Sequence, residues 1–221
     1  MNKAINVILI FLLFPTMLMS IYVGLDLPIS FLKTTGEYLP YKFEIFLGLG
    51  IFIFVLLLRR SIRRWMGMRI VSQQKKFKWN TEVSPERKRR VVTYLLLESF
   101  IMTSAAVALY IVCDEAWTPV LALIISSADN LFFAIIGYAK KGFRIGLSKK
   151  ALIVADREVT LLYFKGLRKV SLHQQTIYFD YIKDLQLSFP TNSIQEQDKE
   201  KFYQILEKQM DPEKVFFSKM K

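Results

Sequence analysis

Two carboxylates stand where carboxylates are expensive. Glu98 and Asp129 each fall inside a long apolar stretch, and an ionisable side chain at membrane depth normally faces a bundle interior, a partner or a water-filled cavity. At about 1.5 Å of helical rise per residue, Glu98 lies ~10 Å from the start of its stretch at Val91, and Asp129 ~13 Å from the end of its own at Tyr138. Only Asp114 to Thr118 separates the two stretches, so they are expected to pack as an antiparallel hairpin in which the two carboxyl groups can meet and share a proton. Ser99 and Thr103 on one side, and Ser126, Ser127 and Asn130 on the other, would supply hydroxyl and amide partners. Ala122, Ser126, Asn130 and Ala134 recur every four residues, a narrow stripe that lets helices approach and hydrogen-bond. Three readings follow: interhelical glue, a proton- or cation-handling site, or an assembly contact with another membrane protein.

A second constellation is basic. Between Arg59 and Arg90 twelve cations face only Glu82 and Glu86, within a chain of net charge +12. Over Arg59 to Ile70, Ile62, Trp65, Met66 and Ile70 fall on one helical face, and Arg59, Arg60, Arg63 and Arg64 crowd the other. Such a segment is expected to leave its span as an amphipathic helix lying on an anionic leaflet, with Trp65 at headgroup depth. The simpler reading is that these charges only fix topology. Because the charge lies between two apolar stretches, membrane orientation explains it better than nucleic acid does.

The elements that position these residues follow from hydropathy. Of the 221 residues 52% are hydrophobic, and the mean hydropathy is +0.28, a balance that points to a lipid-embedded portion. A bilayer core needs roughly 20 apolar residues as helix, and four stretches meet this: about 4–25, 39–58, 91–113 and 118–138. Pro15 is expected to bend the first. Short Lys/Arg-rich loops stay in the cytoplasm, so the basic segment is placed inside, the cation-poor links 26–42 and 114–118 outside, and both chain ends inside. A cleaved signal peptide is the rival reading of the first span, although Leu18 and Ser20 make a poor cleavage site.

From Phe143 the pattern changes to period-two alternation, which marks half-buried antiparallel strands. Arg144 to Ser148, Ala151 to Ala155, Val159 to Phe164, Val170 to His173, Ile177 to Tyr181 and Leu185 to Phe189 are strand candidates, with turns at Lys149-Lys150, Lys165-Gly166 and Lys183-Asp184. Ser193 with Glu196 makes a capping-box pattern before a helix carrying Phe202, Ile205 and Leu206, which Pro212 stops. Trp79 is expected in a loop or at the interface, and His173 on an outward strand face. The fold class is therefore a four-helix membrane bundle (1–141, with a cytoplasmic loop 59–90) followed by a small α+β domain (142–212) and a tail (213–221).

A strand meander closed by one helix and fused to membrane spans resembles the bacterial pleckstrin-homology-like domains. The likeness is carried by Leu167-Arg168-Lys169-Val170-Ser171-Leu172, Thr176 to Tyr181, Leu185 to Pro190 and Phe202 to Leu206, within Phe143 to about Met210. The resemblance implies a domain that binds protein partners or lipid headgroups without catalysis, at a bacterial cytoplasmic membrane. It also implies that Lys149 and Lys150 stand where some relatives meet phosphate; otherwise these two form a solvated hairpin tip.

Cys113 and His173 are the only residues of their kinds, which leaves no intramolecular disulfide and removes the common zinc and iron constellations. Neither a nucleophile elbow nor a phosphate loop is present. The expectation is a non-enzymatic membrane adaptor or regulator without cofactor, whose partners are anionic lipid and a protein or a second copy of the chain. The alternative is a small oligomeric transporter or channel subunit using Glu98 and Asp129.

Overall fold

The computed structural model describes residues 2–29, 33–182, 185–210 and 215–217. Among the described residues four helices are long and apolar enough to cross a membrane: α1 (Asn2–Gly24), α2 (Lys42–Ser72), α3 (Pro85–Val112) and α4 (Trp117–Ala139). A two-residue ladder pairs β1 (Pro28–Ile29) with β2 (Thr34–Thr35) between α1 and α2. The chain divides into two compact units, one of Met1–Ile62 with Tyr94–Phe133, the other of Arg63–Thr93 with Ala134–Lys221.

The first unit is apolar outside as well as inside. Leu9, Ile53, Leu57, Ala106, Leu109, Val120, Ala122 and Leu123 form one buried cluster, and Val23, Phe46, Cys113 and Ala116 a second. Phe11, Phe14, Phe100 and Ile111 are each more than two-thirds exposed. Water would not tolerate such a continuous greasy exterior, whereas hydrocarbon solvates it. Hydroxyls within α1 are satisfied locally: Thr16 donates to the Leu12 carbonyl at 2.7 Å and Ser20 to the Thr16 carbonyl at 2.8 Å. The helix runs unbroken through Pro15.

Two expectations about the basic segment are corrected. The helix beginning at Lys42 does not end at Leu58 and re-form along a leaflet; it continues to Ser72 as one element. The segment is also not a loop before the third span, because Trp79–Glu82 forms a strand, β3, and α3 starts at Pro85. Ser84 caps that helix by accepting the Arg87 amide at 3.3 Å, with Pro85 at the first helical position.

The second unit carries two four-stranded sheets. In the first, β3 pairs antiparallel with β4 (Arg144–Leu147), which leads through β5 (Ala151–Ala155) to β6 (Val159–Tyr163). In the second, β7 (Leu167–His173), β8 (Thr176–Tyr181) and β9 (Gln186–Pro190) form a meander. A bulge between Leu167 and Lys169 lets Leu167 and Val170 both point inward, three positions apart. Helix α5 (Glu196–Gln209) buries Phe202 and Leu206, and β10 (Phe216–Phe217) adds parallel to β7. The tail is thus partly strand. Pro212 and the Lys183-Asp184 turn lie outside the described residues.

Trp79 is 6% exposed and packs against Phe202, with the rings tilted and their centroids 5.0 Å apart. It is a core residue and not an interface anchor. The expected capping box does not form: Gln195 precedes α5 without a side-chain cap, and Ser193 is buried, its carbonyl accepting the Ser84 amide at 2.8 Å.

Candidate functional site

Within the first unit the carboxylate of Glu98 does not await Asp129. Its two oxygens are taken by Arg60 of α2, whose Nη2 donates to Oε2 at 2.8 Å while Nη1 donates to Oε1. A bidentate guanidinium is the arrangement that best compensates the removal of a carboxylate from water. Glu98 thus stands in an ion pair with Arg60, the two side chains 8% and 18% exposed. Asp129 is half-buried.

The polar neighbours knit α3 to α4. Ser99 Oγ and Ser127 Oγ lie 2.6 Å apart, and Thr103 Oγ1 lies 2.7 Å from Ser127 Oγ. Asn130 is buried and its Nδ2 reaches the Met102 sulfur at 3.7 Å. Ser127 is the bridging hydroxyl, while Ser126, on the four-residue stripe, is half-buried. These bonds satisfy the hydroxyls within a lipid-facing hairpin.

Of the cations expected to touch lipid, Arg60 and Arg64 are 8% and 4% exposed and cannot reach headgroups. Arg59 is exposed, and Arg63 and Trp65 are half-exposed. Helical spacing put all four arginines on a polar face; the structure turns two of them into the protein.

The strand unit holds the second candidate. Lys149 and Lys150 are exposed at the tip of the β4–β5 hairpin. Ser148 makes that tip rigid, donating to the Ala151 carbonyl at 2.9 Å and accepting the amides of Lys150 and Ala151. The sequence did not reveal that Lys75 and Lys76, in a 3-10 turn just after α2, and Lys78 at the mouth of β3 come to the same end. Together with Phe77 and Ser148 the five lysines line a cavity of about 390 Å³. No carboxylate is among these lining residues. The register explains the convergence: Trp79 pairs with Leu147, and the Lys78 amide donates to the Leu147 carbonyl at 2.9 Å. Phe77 lies over Gly146, where a Cβ would come within 2.6 Å of its ring.

The base of that ladder is tied by Asn80, which donates to the Val71 carbonyl at the end of α2 at 2.8 Å and accepts from Arg144 Nε at 2.5 Å. Burial pushes the Arg144 guanidinium down from its ordinary value, with Glu82 opposing. Arg87 at the start of α3 donates through Nε and Nη2 to one oxygen of Asp156, at 2.9 and 2.6 Å. His173 is exposed. No group of three metal-ligating side chains occurs among the described residues.

Fold and site define a class: a multi-pass membrane protein in which a helical hairpin, α3–α4, is inserted between two paired strands of an α+β unit. Comparison with known protein families, curated proteins and solved structures returns no match.

Proposed function

We propose that this chain is a non-enzymatic adaptor or regulator of a bacterial cytoplasmic membrane, whose cytosolic strand unit binds a phosphorylated headgroup at its lysine-lined end. The observation that carries the reading is the convergence of Lys75, Lys76, Lys78, Lys149 and Lys150 on one concavity lacking carboxylates. Five like charges held together on a rigid turn and a strand mouth repel one another, an arrangement that an anion relieves. Lysine ammonium groups are suited to phosphate as flexible point charges. Two sheets closed by a terminal helix support the pleckstrin-homology-like reading, and the excess of Lys and Arg between α2 and α3 supports a cytosolic location. Because β3 and β4 run directly into α3 and out of α4, an anion at the lysine end would bear on the strand pair that holds the hairpin's two ends.

The test uses the full chain in nanodiscs of neutral lipid, since a fragment beginning at Phe143 would lack β3 and Trp79. Inositol hexakisphosphate should bind, weaken steeply with salt, and be lost in the Lys149→Gln/Lys150→Gln variant, with inositol inert. Discs containing a phosphoinositide form the lipid-borne arm and polyglutamate the acidic-protein arm. Equal binding by wild type and variant would defeat the proposal, and a preference for polyglutamate would assign the site to a protein partner.

A further inference from the structure

A second concavity in the same unit has a different character. It has a volume of about 550 Å³ and lies between the last turns of α2 and the end of α4. Its lining includes the apolar side chains of Trp65, Met66 and Ile136 and the cations Arg69 and Lys140. Both cations are exposed, and no carboxylate is among the lining residues.

Its setting identifies the solvent on one side. Met66 on α2 and Ile135 on α4 are 56% and 62% exposed, which hydrocarbon and not water accounts for. Trp65 and Tyr138 are amphipathic rings of the kind that settle at headgroup level. Arg69 follows Trp65 by one helical turn, about 6 Å, and Lys140 follows Tyr138 by two residues. The concavity therefore sets apolar side chains and two cations within one lipid's length of each other.

The geometry points to a site for one anionic phospholipid of the adjacent leaflet, its phosphodiester held between Arg69 and Lys140 and its upper acyl chain laid over Trp65, Met66 and Ile136. A guanidinium can grip phosphate oxygens in bidentate fashion while the lysine supplies a second charge. Two cations on one phosphodiester leave a positive surplus that favours a glycerol headgroup over choline. This site is separate from the lysine-lined end and does not depend on it.

The full chain is purified from discs holding equal phosphatidylglycerol and phosphatidylcholine, and retained lipid is counted by native mass spectrometry. Wild type should keep one phosphatidylglycerol in preference to phosphatidylcholine by about thirtyfold, from two interfacial cations. Arg69→Gln/Lys140→Gln should abolish the preference, Arg69→Lys/Lys140→Arg should keep most of it, and Lys149→Gln/Lys150→Gln should leave it untouched. No preference in wild type, persistence in Arg69→Gln/Lys140→Gln, or loss in Lys149→Gln/Lys150→Gln would overturn the site. A phosphatidylglycerol with a photoreactive acyl chain gives a readout on unmutated protein: labelling should fall on Met66 or Ile136, and labelling confined to other residues would overturn it too.

Discussion

Arg60 and Glu98, 38 positions apart in the chain, face each other as a two-bonded ion pair that is largely shielded from solvent. Each charge is tolerable because of the other. Removing one leaves its partner desolvated and uncompensated, so Glu98→Gln or Arg60→Met alone should destabilise by about 3–5 kcal/mol. Combining the two substitutions should recover most of the loss. Thermal unfolding of the four proteins in one detergent checks this, and additive losses in the double variant would contradict the pairing.

The same pair bears on transport. Both oxygens of Glu98 are occupied by a group that keeps its proton under all physiological conditions, which suits a structural tie better than a relay. Proton or cation flux in liposomes should be the same for lipid alone, wild type, Glu98→Gln and Asp129→Asn. Flux in wild type that either substitution abolished would reinstate the transporter reading.

Phe202 is the joint of the strand unit, set against Trp79 at 5.0 Å and Phe189 at 5.9 Å and fully buried. Phe202→Ala should cost about 3–5 kcal/mol. The loss should appear as earlier cleavage of the strand unit by trypsin, while the apolar helices stay protected by detergent or lipid.

Why some of this was legible and some was not follows from the range of each signal. The four spans were readable because hydrocarbon imposes length and composition on a contiguous stretch, and the strands from Arg144 to Phe189 because half-burial imposes alternation. Trp79–Glu82 was missed because its partner strand lies more than sixty residues away, across two spans, and the surrounding lysines read as a topological loop. Ser84-Pro85-Glu86, a cap followed by proline, was the local signal that could have placed the start of α3. Glu98 was matched to Asp129 because only the short hairpin link could be reasoned from sequence; that α2 carries Arg60 to the same place is a tertiary fact. Lys149 and Lys150 were found as a turn, but the three lysines that complete their cavity depended on the unseen β3–β4 ladder.

Asp156 turns its carboxylate to Arg87 and to the Glu158 amide, accepting the latter at 3.2 Å, and is only 5% exposed. Asp156→Asn keeps the turn but gives up the charge-assisted bonds, for a loss of about 1.5–3 kcal/mol. Hydrogen exchange should then quicken at the start of α3 and around the β5–β6 turn, with α5 unchanged. Uniform quickening would mean that the pair has no local role.

Tyr181 gives a pH signature for the strand unit. Its hydroxyl donates to the Tyr163 carbonyl at 2.7 Å, and burial raises its pKa above the ordinary 10.0. The folded chain therefore holds this proton to higher pH than the unfolded chain does. The resulting stabilisation is fully present below about pH 10 and is lost as pH rises through the raised value, because the unfolded state ionises first. Melting temperatures from pH 9 to 11.5 should fall for wild type, and the fall should be shallower in Tyr181→Phe, which has no proton to lose. Tyr203, also raised by burial, titrates in both proteins, so the difference between their curves isolates Tyr181. Identical slopes would show that the hydroxyl is equally free to ionise in the folded and unfolded chains.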